Sequence, residues 1–194
     1  MNAQPLIDYL LQFGTLNTQQ IELMGSKANM KQYKAGDYFL KAGQTCREAG
    51  FILAGIFRVC YYDQDGNEIT RYFLDEGHFV ADIQGFNLGI PSTEYIEAVT
   101  DCTLVTFSKT AADELSQTIL VWDELISKVT AKAMAEKVTR VSWMMPMDAA
   151  SRYRYFLEHF PRLANRVPLQ YIASYIGVTQ SSLSRLRREL GKEG

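Results

Sequence analysis

The chain has 194 residues, of which 22% are charged and 47% hydrophobic, and its formal net charge is −2. This composition is typical of a globular protein, and the length favours one larger and one smaller domain. No stretch approaches the roughly 20 consecutive apolar residues that a membrane-spanning helix needs. The first residues also lack the basic region and long apolar core of a signal peptide. We therefore expect a cytoplasmic protein that does not associate with membranes.

The residue types that usually provide metal, redox or catalytic chemistry are few. Cys46, Cys60 and Cys102 are odd in number and too widely spaced for a disulfide framework or a zinc or iron–sulfur site. We expect them to be buried as small hydrophobic residues. The two histidines, His78 and His159, cannot by themselves form the three-ligand cluster of a jelly-roll metalloenzyme. The sequence thus predicts neither an enzyme, such as a cupin-like catalyst, nor a bound cofactor or metal.

The chain begins with helical patterns and then changes to short strands. Residues 1–30 have apolar spacing typical of helices, with a break at Gly14. From residue 31 to residue 108, short strands alternate with regularly recurring glycines, which is typical of a β-sandwich or barrel. Asp65-Gly66 predicts a hairpin turn, because glycine supplies the positive φ that tight hairpins require. The predicted strands include residues 38–40, 51–53, 56–62, 69–73 and 104–107.

A long helix is predicted after the strands. Residues 111–145 contain neither glycine nor proline, and their apolar residues recur at helical spacing, so we expect a helix over about 118–144. A helix of this length extends beyond a small sandwich, and one of its faces is expected to contact a second copy of the chain. The alternative is that the helix packs wholly on its own domain. The predicted dimer contacts are Trp122, Ile126, Val129 and Ala133.

The end of the long helix coincides with a change of charge. Pro146 cannot continue the helical hydrogen-bond pattern, and Asp148 can cap the next helix, so residues 145–148 are expected to form a hinge. Residues 148–194 contain eight Lys and Arg and four Asp and Glu, net +4, whereas residues 1–147 contain twelve and eighteen, net −6. A basic end on an acidic body fits a nucleic-acid-binding domain attached to a domain with another role.

Residues 167–190 have the pattern of a helix-turn-helix. Pro168 suits the first turn of the first helix, and Gly177 tolerates the backbone angles of a sharp bend. Thr179 is a good N-cap for a second helix over about 180–190. We therefore expect two short helices joined by a tight turn at this end of the chain.

The second of these helices separates its apolar and polar residues onto opposite faces. The inner face consists of leucines at helical spacing, Leu183, Leu186 and Leu190. The outer face has hydroxyls and arginines and carries no acid, and consists of Ser181, Ser184, Arg185 and Arg188. Such groups can bond base edges and phosphates, whereas a merely solvated helical hairpin normally mixes both charge signs. The pattern predicts a DNA recognition helix.

The order of glycine-punctuated β roll, long helix, short helix and helix-turn-helix resembles the CRP/FNR family of bacterial transcription regulators. The motifs that carry the resemblance are spread over nearly the whole chain, at residues 34–38, 50–55, 77–83 and 176–185. The resemblance implies an α+β fold with an N-terminal double-stranded β-helix (jelly roll), a long dimerisation helix and a C-terminal helix-turn-helix domain. The implied boundaries are 1–115 for a cyclic-nucleotide-binding-like sensor domain, 116–146 for the dimerisation helix and 147–194 for the DNA-binding domain.

The resemblance also implies an effector pocket, but the chain departs from the family pattern there. In members that bind cyclic AMP, a Gly-Glu-Leu segment holds the ribose and an Arg-Ser or Arg-Thr pair holds the cyclic phosphate. The matching residues here are Ala81, Asp82 and Ile83 for the first segment, and Ser92 and Thr93 for the pair. The phosphate arginine is absent, and no lysine or other arginine lies between Gly77 and Thr106 to replace it. We therefore predict weak or no cyclic-nucleotide binding at this vestigial effector pocket.

The sequence also matches the oxygen-sensing and haem-sensing branches of the family poorly. The oxygen-sensing branch needs a cysteine cluster, which this chain lacks. A haem-sensing branch needs an axial ligand, and His78 is the sole candidate in the roll. A solvated turn histidine is the favoured interpretation of that residue.

At the DNA-binding end, the resemblance assigns roles by position. The base-contacting positions are Gln180, Ser181 and Arg185, and the phosphate-contacting positions are Thr179, Ser184 and Arg188. Between Phe160 and Pro168 the chain is too short for the family's usual β-hairpin wing. Arg162 and Arg166 are the candidates for replacing its contacts with the DNA backbone.

These observations predict a homodimeric, sequence-specific DNA-binding transcription regulator that does not respond to cyclic AMP. The expected partners are double-stranded DNA with a palindromic operator and a second copy of the chain, and further candidates are RNA polymerase and an unidentified small-molecule effector. The alternative function is a sensor whose β roll binds a ligand other than a cyclic nucleotide, and whose occupancy gates DNA binding. A regulator controlled only by its abundance is a third hypothesis.

Overall fold

The computed structural model describes residues 3–190, except for the side chains of residues 140, 141 and 143. Two short helices precede a β roll, and the remaining helices follow it, apart from one short helix inside the roll. The helices are α1 (Gln4–Leu10), α2 (Thr18–Lys27), α3 (Ile83–Leu88), α4 (Lys109–Thr118), α5 (Trp122–Met144), α6 (Ala149–His159), α7 (Pro161–Ala164), α8 (Leu169–Ile176) and α9 (Gln180–Leu190). The strands are β1 (Asn29–Tyr33), β2 (Tyr38–Leu40), β3 (Glu48–Ala54), β4 (Phe57–Tyr62), β5 (Glu68–Leu74), β6 (Phe79–Val80), β7 (Tyr95–Ala98) and β8 (Cys102–Ser108).

The strands form two antiparallel four-stranded sheets, in the orders β1-β8-β3-β6 and β2-β7-β4-β5. Apart from the β4–β5 hairpin, neighbouring strands are not consecutive in sequence, as in a jelly roll. Side chains that alternate inward from both sheets, among them Ile52, Phe57, Val59 and Leu104, form the core between them. The predicted α+β chain with an N-terminal jelly roll is confirmed, with two separate sheets rather than a closed barrel.

The β4–β5 turn has the chemistry that the sequence predicted. Gly66 has a φ of +79°, which a residue with a side chain adopts only with strain. The carboxylate of Asp63 accepts hydrogen bonds from the backbone amides of Asp65 and Asn67, at 2.9 and 2.8 Å. The turn therefore fixes the register of β5, the strand that contacts α8 and lines the cavity described below.

A second core lies outside the roll, where α1, α2, α4 and the first half of α5 cover the β1-β8-β3-β6 sheet. Trp122 and Val129 belong to this core and are each 5% exposed, and Ile126 packs against it. Ala133 is half-buried farther along α5. The stripe that the sequence assigned to dimer contacts is thus largely occupied by its own domain, as in the stated alternative.

The long helix is shorter at its start than the sequence pattern indicated. It begins at Trp122 rather than near residue 118, because α4 ends at Thr118 and the chain turns through Ile119, whose amide donates to the carbonyl oxygen of Leu115. Among the α5 side chains that the structure describes, the large apolar ones left exposed are Met134 and Val138. None of the helices within residues 3–190 combines the length and the apolar character needed to cross a membrane.

The C-terminal helices form a small bundle. Asp148 caps α6, because its carboxylate accepts from the amide of Ser151 at 2.7 Å, as predicted. The helix-turn-helix consists of α8 and α9, and Gly177, with a φ of +76°, ends α8 in the left-handed conformation that the sharp bend requires. Between α6 and α8 the chain forms the four-residue helix α7, so the described chain has no β-hairpin wing at this position.

The core of this bundle is continuous with the β roll. Phe73 of β5 contacts the rings of Phe156 in α6 and Tyr175 in α8, with centroid separations of 6.3 and 5.4 Å. Ile56 and Val99 of the roll belong to the same buried cluster. The helix-turn-helix therefore packs directly on the β roll, and residues 145–148 are not its sole connection to the rest of the chain.

Candidate functional site

Helix α9 presents the face that the sequence predicted. Leu183 is buried and anchors the helix on α8, while Gln180, Ser181, Arg185 and Arg188 are exposed. Ser184, on the same outer side, is half-buried. These residues therefore form one accessible surface along a single helix.

The first turn of α9 is fixed by Thr179. Its hydroxyl oxygen accepts from the amide of Ser182 at 3.2 Å and donates to the Ser182 hydroxyl at 2.9 Å. It also lies 3.0 Å from the hydroxyl of Ser181. The predicted N-cap is thus present, and the hydroxyls gathered at the positive end of the helix dipole suit contact with a phosphate group.

The two arginines of this face are held only weakly. Arg185 donates to the Ser182 hydroxyl and Arg188 to the carbonyl oxygen of Ser184, both at 3.4 Å. Among the residues that the structure describes, no carboxylate lies within ion-pair distance of either guanidinium. Both side chains can therefore turn toward a nucleic acid without separating an existing ion pair.

Arg166 lies on the surface, where it forms an ion pair with Glu76 of the same chain. It donates to both carboxylate oxygens of Glu76, at 3.0 and 2.6 Å. These hydrogen bonds lower the pKa of Glu76 to about 2, although partial burial of the carboxyl opposes the shift. That Arg162 and Arg166 replace wing contacts stays a prediction, and both arginines are exposed.

Helix α8 is attached to the free edge of a sheet. β5 is the outermost strand of the β2-β7-β4-β5 sheet, and the amide of Thr70 donates to the hydroxyl of Ser174 at 2.8 Å. The same hydroxyl donates to the carbonyl oxygen of Glu68 at 2.9 Å. One serine of the helix-turn-helix thus satisfies two backbone groups of an exposed strand edge.

A buried arginine lies under the same helix. Arg58 of β4 is 1% exposed, and its guanidinium pairs with Glu97 of β7 and with Glu68 of β5. Its other face lies 3.6 Å from the ring centroid of Tyr171 in α8. Planar guanidinium groups favour such combined ion-pair and stacking geometry.

This cluster also contains three groups that could in principle hold a metal ion, Cys60, Glu68 and Glu97. Both carboxylates already bond Arg58, and burial raises the pKa of the Cys60 thiol to about 11, which disfavours the thiolate that a metal would need. We therefore interpret the cluster as a salt bridge that joins the roll to α8.

The predicted effector pocket is part of a larger cavity of about 990 Å³. Ala81, Asp82, Ile83, Ser92 and Thr93 all line it, so the structure brings the two predicted segments together. The polar side chains of Asp82 and Ser92 are hydrogen-bonded to nearby backbone groups. The carboxylate of Asp82 accepts from the amides at the start of α3, and the hydroxyl of Ser92 accepts from the amide of Glu94 and donates to its carbonyl oxygen. With the Ser92 hydroxyl donating to the backbone and the Asp82 carboxylate able only to accept, these two side chains offer no free hydrogen-bond donor to a cyclic phosphate.

The sequence interpretation missed the basic residues of the cavity, which come from elements distant in sequence. A guanidinium nitrogen of Arg71 in β5 lies 2.5 Å from the Oε1 atom of Glu94. The two groups form an ion pair, although this oxygen accepts no well-aligned hydrogen bond from the described residues. Lys137 of α5 donates to the hydroxyl of Tyr72 at 3.0 Å. Burial raises the pKa of Glu94, partly countered by Arg71. No local motif connects these positions, so only the fold could reveal them.

His78 lies in the β5–β6 turn. Its Nδ1 is 2.9 Å from a carboxylate oxygen of Asp75, and its Nε2 is 3.9 Å from Glu136 of α5. These acidic neighbours favour the interpretation of a half-buried turn histidine over that of an axial haem ligand.

Comparison with known proteins finds a family that is similar to the roll. Residues 30–118 match the family described as cyclic nucleotide-binding domain. The match begins in β1 and ends with α4, so it spans the roll with its cavity-lining strands. No curated protein matches the chain in sequence.

Solved structures extend the likeness to most of the chain. FixK2 of Bradyrhizobium japonicum has a TM-score of 0.74 at 17% identity, with 86% of each chain covered. The c-di-GMP responsive global regulator CLP of Xanthomonas campestris has a TM-score of 0.73 at 17% identity, with 92% of this chain and 93% of CLP covered. A CRP/FNR family transcriptional regulator of Thermus thermophilus has a TM-score of 0.66 at 20% identity, with 86% and 87% covered. The chain therefore has the fold of CRP/FNR transcription regulators, as the resemblance predicted.

Proposed function

We propose that the protein is a sequence-specific DNA-binding transcription regulator of the CRP/FNR type. The observation that carries this proposal is the exposed face of α9, where hydroxyls and two arginines without carboxylate partners in the described chain share one surface. Base contacts are assigned to Gln180, Ser181 and Arg185, and phosphate contacts to Thr179, Ser184 and Arg188. The fold shared with transcription regulators supports this assignment.

The active form is proposed to be a homodimer, with residues 1–115 as sensor domain, 116–146 as dimerisation helix and 147–194 as DNA-binding domain. Since Trp122, Ile126 and Val129 are occupied by their own chain, a second α5 is proposed to contact the part of the helix beyond Val129. Two recognition helices related by a two-fold axis would enter successive major grooves about 34 Å apart.

Selection of bound sequences from random duplex DNA tests this proposal, followed by fluorescence anisotropy on the selected site and light scattering of the complex. The expected result is an inverted repeat whose half-sites are separated by about one helical turn, bound by two chains. A control duplex of the same composition in scrambled order should bind far more weakly. Equal affinity for both duplexes at physiological salt would contradict the proposal.

The effector is proposed not to be cyclic AMP. Asp82 and Glu94 place negative charge at the cavity, and the hydroxyl of Ser92 is already bonded to the backbone of Glu94. The structural neighbour CLP responds to c-di-GMP, which makes this dinucleotide a second candidate to test. The cavity itself supports regulation by a different small molecule.

A further inference from the structure

The cavity is formed by three parts of the chain. The roll contributes β5, β7 and α3, α5 contributes its second half, and the helix-turn-helix contributes the end of α8 with Gly177. Its volume of about 990 Å³ is sufficient for a small-molecule ligand. A ligand in this space would therefore touch the sensor, the long helix and the DNA-binding domain together.

Most of the wall is apolar. The roll side includes Ile69, Ile83 and Ile96, and the helical side includes Met134, Val138 and Met145. The three helical residues are exposed to solvent, Val138 by 65%. An apolar ligand would remove this surface from water, and methionine side chains adapt readily to its shape.

Among the described residues, the cations of the wall each have a partner within the chain. Arg71 pairs with Glu94, and Lys137 donates to Tyr72. Arg152 donates to the carbonyl oxygens that end α5 and α8, those of Met144 and Ile176, both at 3.1 Å. An anionic ligand would be repelled by the carboxylates of Asp82 and Glu94, whereas an uncharged ligand leaves these contacts intact.

We propose that the cavity binds an uncharged, largely apolar small molecule, and that this ligand acts on the helix-turn-helix by direct contact with the end of α8. Arg152 joins the end of α5 to the end of α8, and Gly177 forms the turn into the recognition helix. A ligand that displaces this junction therefore displaces α9. The regulatory part of this inference rests on the proposed function, whereas the binding part does not.

The test uses the full-length protein without DNA and the neutral dye N-phenyl-1-naphthylamine, whose fluorescence rises in apolar surroundings. We expect saturable binding of one dye per chain, with no displacement by millimolar cyclic AMP or c-di-GMP. Lys137→Met should leave the dye affinity within about twofold, because the dye carries no charge.

Two variants obstruct the cavity from different sides. Val138→Asp puts a charge at the α5 side, and Ile83→Trp fills the α3 side, away from α5 and from any dimer contact there. Each should weaken dye binding at least about tenfold, because one adds a charge to an apolar site and the other occupies it. Leu120→Asp is the matched control, since Leu120 is 98% exposed between α4 and α5 and does not line the cavity.

The outcomes separate the two parts of the inference. Absence of saturable dye binding, equal weakening by Leu120→Asp, or displacement by nucleotide that Lys137→Met abolishes would overturn the proposed ligand class.

The action on α9 is tested with a selected operator. The dye should change the DNA affinity by about 5- to 150-fold, a change that Ile83→Trp removes. Dye binding with unchanged DNA affinity would overturn the direct action on α9. Dye binding by a protein that binds no DNA would contradict the proposed function while leaving the ligand class supported.

Discussion

The guanidinium of Arg58 lies 3.6 Å from the ring centroid of Tyr171, which places a buried cation of the β roll directly under the first helix of the helix-turn-helix. Glu97 and Glu68 balance its charge from the two neighbouring strands. The roll and the helix-turn-helix thus share one electrostatic cluster. Substitutions on either side of this contact should therefore change the free energy of unfolding of the chain.

Arg58→Met tests the stability that this cluster provides. Removal of the guanidinium leaves Glu97, which is 7% exposed, without its buried counter-charge. Such an unpaired buried charge costs about 3–5 kcal/mol in the free energy of unfolding, measured by urea titration. Tyr171→Leu is the control, because it removes only the stacking contact, worth about 1–2 kcal/mol. A loss from Arg58→Met no larger than that from Tyr171→Leu would contradict the charge-based account.

The Arg166–Glu76 pair predicts a pH-dependent contribution to stability. The pKa of Glu76 is lowered from 4.5 to about 2, chiefly by its hydrogen bonds with Arg166. A carboxyl with a lowered folded-state pKa stabilises the protein above its ordinary pKa, and this contribution is lost as the pH falls from about 4.5 to about 2. Because the pair is partly exposed, Arg166→Met should cost only about 1–2 kcal/mol at neutral pH.

Urea unfolding of wild type and Arg166→Met at a series of pH values measures this difference. It should be constant above about pH 5 and shrink toward zero near pH 2. Arg162→Met, an exposed cation on α7, is the control and should show little effect at any pH. A cost of Arg166→Met that does not change over this range would mean that the pair acts through packing rather than charge.

The sequence predicted the fold well wherever local chemistry decides it. The Asp65-Gly66 hairpin, the Asp148 cap and the Gly177 bend each depend on neighbouring residues, and the structure contains all three. Short elements without a strong pattern, such as β1 and α3, were not predicted. They are stabilised by partners elsewhere in the chain, β1 by its pairing with β8.

The long helix shows why the site was predicted less completely than the fold. The spacing of Trp122, Ile126 and Val129 correctly indicated an apolar face, but periodicity alone does not say which surface covers that face. In the structure α1, α2 and α4 cover it. Likewise, the predicted pocket segments meet as expected, whereas Arg71 and Lys137 reach the cavity from β5 and α5, which only the tertiary fold brings together.

Calorimetric titration with cyclic AMP should give no binding heat up to about millimolar nucleotide. A dissociation constant of about 1 mM corresponds to a binding free energy of about −4.1 kcal/mol, so any binding should be weaker than that. The reason is that Asp82 and Glu94 repel a phosphate while Ser92 is bonded to the backbone. Micromolar binding would show that another group holds the phosphate, Lys137 being the first to test by substitution with Met.

The most direct measurement compares Arg185→Ala and Arg188→Ala by fluorescence anisotropy on a selected operator and on random DNA over a range of salt concentrations. Arg185→Ala should lose about 1–3 kcal/mol on the operator and relax the preference at one base pair. Arg188→Ala should weaken both DNAs alike and reduce the salt slope by about 1. Arg47→Ala, an exposed arginine of the roll, is the control and should change neither. Equal losses from both α9 substitutions on both DNAs, or operator binding that neither substitution affects, would contradict the assignment of α9 as the recognition helix.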